Sequence, residues 1–139
     1  MPTLYRDVRA EGAGRTLSIH LQLENRSTQE WKRDAVSIGW QLYDPDTNRF
    51  IREGKWIPLD RDVGTGDAVS VDLNIEFPPE PGGYRIYVSP IDRERGWFYD
   101  RGDRFLVVDA VVAKERVEVL KTELATRRAL VRRSVMRAI

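Results

Sequence analysis

Cysteine is absent from the 139 residues, so neither a disulfide framework nor a thiolate metal site is available. Histidine is almost absent too. The single copy, His20, falls on the outward side of an alternating run with no Ser or Cys partner pattern nearby. That placement suits a solvent-facing or ligand-contacting imidazole rather than a catalytic base. No stretch approaches the roughly eighteen consecutive apolar residues of a membrane-spanning helix. Met1 to Asp7 also lack the apolar core of a secretion signal, so a cytoplasmic setting is expected. Asn25-Arg26-Ser27 matches a glycosylation sequon, which in that setting is a coincidence.

Charge of one sign is scarce overall, with a formal net charge of +1, but it is unevenly divided. From Ala113 to Ile139 eight Lys/Arg face three Glu, a net of +5, and the preceding 112 residues carry fifteen against nineteen, a net of −4. Glycine and proline are missing from that basic segment, and Ala, Leu, Glu, Lys and Arg dominate it, which favours helix. Ala113, Val117, Leu120, Leu124, Val131, Val135 and Ala138 fall at three- and four-residue spacing. The expectation is one helix over 113–139, about 40 Å long at 1.5 Å per residue, too long for a small domain to cover alone. Part of its stripe is then left for a second chain or a neighbouring domain. A helix folded back on its own domain is the alternative.

What the sequence has in plenty is alternation. Val69, Val71, Leu73, Ile75 and Phe77 share one face of a strand, with Ser70, Asp72, Asn74 and Glu76 on the other. Pro78, Pro79 and Pro81 with Gly82-Gly83 end it, and Tyr84, Ile86 and Val88 begin a second strand running the opposite way. Leu17 to Leu23 and Val36 to Leu42 repeat the pattern. Weaker strands are expected over 5–10, 50–57 and 104–111, with loops over 25–30, 60–67 and 91–103. About seven short antiparallel strands at this spacing predict an all-β fold: a β-sandwich of immunoglobulin-like or jelly-roll type over 1–112, followed by the helix.

Several chemistries are excluded by detail. Asp44-Pro45-Asp46-Thr47-Asn48 opens like a calcium loop, yet Arg49 stands where glycine is needed and Lys55 where the closing Glu belongs. Gly64-Thr65-Gly66 lacks a third glycine and a following helix, so it is a turn and not a phosphate cradle. Carboxylates are many, and no pair stands out for acid–base work. No metal site and no cofactor are expected.

Aromatic and basic side chains do concentrate in loops and at outward positions. Trp56 follows Arg52, Glu53 and Lys55; Trp97, Phe98 and Tyr99 sit among Arg93, Arg95 and Arg101. Sugar rings lay their C–H faces on aromatic rings, and the Arg fork holds two oxygens of a carboxylate or phosphate at once. The pattern therefore suits a saccharide site. Trp40 is assigned to the core; Trp97 and Phe98 fit core or site equally; strand parity favours exposure of Trp56, Tyr43 and Tyr87.

Asn25-Arg26-Ser27 with Trp31, the run from Val36 to Asp44, Pro58 to Asp67, Pro81-Gly-Gly-Tyr84 and Gly96-Trp-Phe98 together resemble an immunoglobulin-like module of bacterial surface-polysaccharide systems. The resemblance spans about residues 16 to 110 in short scattered matches. Such modules accompany glycosyltransferases and the ATPase subunits of Wzt-type O-antigen ABC exporters, where they bind the finished, end-modified glycan in the cytoplasm. By resemblance, Asn25, Trp31, Pro81, Gly82, Tyr84, Trp97 and Phe98 are mainly architectural. No Walker A sequence or sugar-nucleotide transferase domain is present, so the chain would be the recognition part only.

These readings combine into one expectation: a non-catalytic carbohydrate-binding module for a bacterial polysaccharide, with an acidic terminal residue as one candidate point of recognition. Its contacts are expected at Tyr43, Lys55, Trp56, Arg85, Tyr87, Arg93, Arg95, Trp97 and Tyr99. A homodimer or an attached catalytic or ATPase domain is the expected protein partner. Nucleic acid is not expected, because the sandwich is acidic, and membrane contact is expected to be indirect or weak. The alternative is a protein-interaction or oligomerisation module acting through the 113–139 helix.

Overall fold

Alternating apolar residues can leave water only if a second apolar layer covers them. The computed structural model, which describes residues 3–130, supplies that layer with ten strands in two antiparallel sheets. They are β1 (Thr3–Ala13), β2 (Thr16–Asn25), β3 (Val36–Tyr43), β4 (Phe50–Glu53), β5 (Ile57–Pro58), β6 (Ala68–Glu76), β7 (Gly82–Asp92), β8 (Gly96–Trp97), β9 (Phe105–Ala113) and β10 (Arg116–Ala125). The smaller sheet runs β1-β2-β6. The larger runs β10-β9-β7-β3-β4, with β5 beside β3 and β8 beside β7. The fold is a β-sandwich.

Register explains the core. Across β2 and β6, Leu17 faces Ile75, Ile19 faces Leu73, Leu21 faces Val71 and Leu23 faces Val69, and all eight side chains are buried. Val36, Ile38, Trp40 and Leu42 from β3, Tyr84, Ile86 and Val88 from β7, and Leu106, Val108, Ala110 and Val112 from β9 close over them. Each such Val, Leu or Ile contributes on the order of 1.5–3 kcal/mol by leaving water. At the corner between β6 and β7, the Tyr84 hydroxyl donates to the Glu80 carbonyl at 2.5 Å. It pins the Pro-rich link to the strand that follows.

Two expectations change here. The runs over 69–77 and 84–88 are strands, but they do not pair: β6 bonds β2 in one sheet, β7 bonds β3 and β9 in the other. The Pro/Gly link therefore crosses from layer to layer, and each strand finds its apolar cover in the opposite sheet.

The long C-terminal helix over 113–139 is also corrected. β9 ends at Ala113, and Lys114 and Glu115 take φ of 50° and 61°, a two-residue hairpin with both central residues left-handed. The chain then returns as β10, with Arg116 opposite Ala113 and Ala125 opposite Phe105. Pairing along β9 overrides the helical preference of Ala, Leu, Glu and Lys in 116–125. Helix begins at Arg127 and is described to Leu130; the rest of the expected stripe, Val131 to Ala138, lies outside the described residues.

Candidate functional site

Outward positions of a sandwich strand ordinarily meet water. On the large sheet they meet more apolar matter. Ile91, Trp97, Tyr99, Phe105, Val107 and Ala125 form a second buried cluster on the face turned away from the core, with Tyr87 and Leu130 packed against it. The helical turn over 127–130 closes one side: the Arg127 guanidinium lies 5.6 Å from the centre of the Tyr99 ring and pairs with Asp100. Rings continue from this cluster across the sheet. Tyr87 stands 5.0 Å from Phe105 and 4.6 Å from Tyr43, which touches Phe50 edge-on at 5.6 Å.

A chain of hydrogen bonds fixes these rings. The Tyr99 hydroxyl donates to Gln41 Oε1 at 2.6 Å and the Tyr43 hydroxyl to the same oxygen at 3.3 Å. Gln41 Nε2 donates to Glu53 Oε1 at 3.1 Å, and the Trp56 indole N–H donates to Glu53 Oε2 at 2.9 Å. Glu53 thus couples Trp56 to the tyrosines. Burial raises the pKa of Tyr43, Tyr87 and Tyr99, most of all Tyr99, so all three remain neutral hydroxyls across the physiological range. Gly39 makes room for the tryptophans: a Cβ there would lie 2.5 Å from the Trp97 ring and 3.3 Å from that of Trp56.

Trp56 is 37% exposed. Beside it the edge of the sandwich opens into a cleft of about 580 Å³, lined by Trp40, Arg52, Lys55, Asn74 and Glu76 among others. Arg52 also holds the Glu76 carbonyl, tying β4 to the end of β6. The cleft therefore offers one open indole face, two cations, an amide and carboxylates. Rings bind apolar faces, and the polar groups bind hydroxyls.

Of the nine expected contacts, Tyr43, Trp56, Tyr87, Trp97 and Tyr99 are brought together on this face, and Lys55 lines the cleft. Trp97 and Tyr99 are buried, so their rings back the surface from beneath. Arg85 is engaged: it forks onto Asp109 at 2.7 and 3.3 Å, and that hydrogen bonding raises its pKa. Arg93 is exposed in the turn between β7 and β8, and Arg95 belongs to a separate pocket at the end of the sandwich. Neither lines the Trp56 cleft. Gln41 and Gly39 stand outside the nine expected contacts. Gln41 could have been singled out as a polar residue between Trp40 and Leu42 on a central strand; Gly39 carries no such signal.

No protein-family model and no curated protein sequence matches this chain. Solved structures do, and what they share with it is a β-sandwich fold. The chain is similar to part of β-glucosidase 3B from Thermotoga neapolitana, both in its complex with glucose and in its complex with glycerol. In each case identity is 19% and the TM-score 0.50, over 85% of this chain. The match takes in only 17% of the length of that enzyme. At this identity the likeness is one of fold.

Proposed function

We propose that this chain is a non-catalytic carbohydrate-binding module of immunoglobulin-like type that recognises a bacterial polysaccharide, as part of the export or synthesis of an O-antigen-like glycan. The observation that carries the reading is Trp56: an exposed indole, locked by Glu53 and by the room over Gly39, at the mouth of a cleft lined with cations, an amide and carboxylates. A preset aromatic face spares the ligand the ordering cost of a floppy one. The strand order β1-β2-β6 against β10-β9-β7-β3-β4, in which β10 adds an edge strand to a β9-β7-β3-β4 sheet, together with the Tyr84 corner, supports the immunoglobulin-like type. The glucose complex of the similar β-glucosidase lends weight to a sugar-related role. Both Glu53 oxygens are taken by Trp56 and Gln41, which suits a positioning carboxylate better than an acid or nucleophile. A cytoplasmic location and attachment to a catalytic or ATPase domain complete the proposal. Titrating the protein with purified surface polysaccharide from the organism that encodes it, read by tryptophan fluorescence and calorimetry, tests the reading. Saturable heat and quenching support it; no response at millimolar repeat units overturns it.

A second reading, a protein-interaction or oligomerisation module, is favoured by β10. This edge strand leaves Leu120 61% exposed at a bulge and Leu124 38% exposed. Light scattering on the full chain and on a Leu120→Asp, Leu124→Asp double variant tests it: a mass above the monomer that falls on substitution supports the reading, and an unchanged mass removes it.

A further inference from the structure

The cleft beside Trp56 lies where an edge of each sheet comes close to the other. β4 and its link to β5 form one side, and the end of β6, with Asn74 and Glu76, forms the other. Its volume of about 580 Å³ falls inside the roughly 300–1,000 Å³ of small-molecule sites. The indole is presented there in one pose. Its N–H is given to Glu53 Oε2 at 2.9 Å, and its Cδ1 lies against Gly39, where a Cβ would stand 3.3 Å away, yet the residue remains exposed. With the N–H spent, what the ring has left for a ligand is its apolar face.

The charges around that face cancel. Arg52 and Lys55 stand against Glu53 and Glu76, a net of zero. Among the described residues none of the four enters an ion pair. Arg52 is turned onto the Glu76 backbone carbonyl, a neutral acceptor. Glu53 is the charge bonded to the ring, and it is fixed. Its Oε1 accepts from Gln41 Nε2 at 3.1 Å and its Oε2 from the indole, both N–H donors, a pairing that only the carboxylate makes. A ligand laid on Trp56 therefore meets a carboxylate at its flank, with no surplus cation to offset a second negative charge. Leaving water for such a place costs an ionised group more than a hydroxyl. Hydroxyls also match the polar set. Each one donates and accepts, so it can use the carboxylates, the cations and the Asn74 amide alike, whereas a carboxylate only accepts.

Resting on the glycan reading of this cleft, we infer that it takes an uncharged pyranose unit, with its C–H face on Trp56 and its hydroxyls on Lys55, Asn74 and Glu76, and that Glu53 and Glu76 turn away the corresponding uronic acid. An acidic residue of the polysaccharide is then not what this cleft reads. The Trp56 indole N–H signal in NMR spectra of the isotope-labelled full chain, assigned with Trp56→Phe, tests the inference. The probes are three pairs of methyl pyranosides, gluco, galacto and manno, each as the neutral sugar and as the uronate that differs only at C6. At least one neutral sugar should move the signal with half-saturation near 10 mM, about what one stacked ring and a few neutral hydrogen bonds support. Salt at about 0.5 M should not abolish that response. The matching uronate should bind at least about tenfold more weakly. Glu76→Gln leaves the bond between Glu53 and Trp56 in place and gives the cleft a surplus cation, so the gap should narrow by about threefold or more. Silence of all three neutral sugars to about 200 mM, far weaker than such contacts give, overturns the inference. So does a uronate that equals or exceeds its neutral partner, a gap that Glu76→Gln leaves unchanged, or neutral binding that moves other signals and not Trp56. The polysaccharide titration is read separately. Heat and quenching there beside silent neutral pyranosides, or beside tighter uronates, strike this inference alone; a neutral pyranoside bound beside a silent polysaccharide does the reverse.

Discussion

Gly54 and Trp40 are in direct apposition: a Cβ on Gly54 would lie 2.0 Å from the indole, and the Gly54 N–H donates to the Trp40 carbonyl at 3.0 Å. A methyl group there has nowhere to go unless the link between β4 and β5 lifts. Gly54→Ala is therefore expected to cost about 1–3 kcal/mol, the usual range for overpacking. Because Glu53 and Trp56 flank this link, ligand affinity should fall with it. Urea denaturation measures the first effect and calorimetry the second.

Trp56→Ala separates binding from folding. With about a third of the residue exposed and the rest packed, its loss should cost about 1–3 kcal/mol of stability, leaving the protein folded, and more than tenfold in glycan affinity. Glu53→Ala frees the indole N–H without removing the ring, so it should weaken binding by less. Fluorescence titration of both variants orders them; equal affinity in wild type and Trp56→Ala would place the glycan elsewhere.

Asp103 predicts a pH dependence with a definite sign. Its pKa is raised in the folded state, chiefly by burial, so the folded protein holds this proton more tightly than the unfolded chain. Stability from this group is fully present below the unfolded carboxylate value and is lost as pH rises through the higher folded value. Asp103→Asn should flatten that decline while keeping a polar partner for Thr3. Thermal melts of wild type and variant from acid to neutral pH check it: parallel curves would count against the assignment.

The hairpin at Lys114-Glu115 offers a test of strand against helix. Both residues hold left-handed φ, which Asn-Gly adopts far more readily. Replacing the pair with Asn-Gly should raise stability by about 0.5–1 kcal/mol. If 113–125 were helical, the same change would instead destabilise, since glycine inside a helix costs about 1 kcal/mol against alanine. Melting temperature decides.

These residues also show what can be read from sequence and what cannot. β2, β3 and β6 were legible because each presents one face to a single core, which leaves strict alternation at Leu17 to Leu23, Val36 to Leu42 and Val69 to Phe77. β10 was not. Its edge position lets charged residues dominate, and its turn uses Lys and Glu in a conformation usually left to Asn and Gly. Parity turns Tyr43 and Tyr87 away from the main core, yet both are half-buried and not exposed, because this face is itself apolar and covered near Tyr99 by Arg127 and Leu130. Arg95 and Trp97 stand two apart in the chain, yet one joins the end pocket and the other lies on Gly39. Proximity in sequence could not show that division.

The N–H of Val117 donates to the carbonyl of Gly14 at 2.9 Å, so the tip of β1 is fastened to β10, the last strand described. A nascent chain cannot make that closure until residue 117 has left the ribosome. Products stalled earlier would keep β9 as a bare border, open to proteases and to pairing with other unfinished copies.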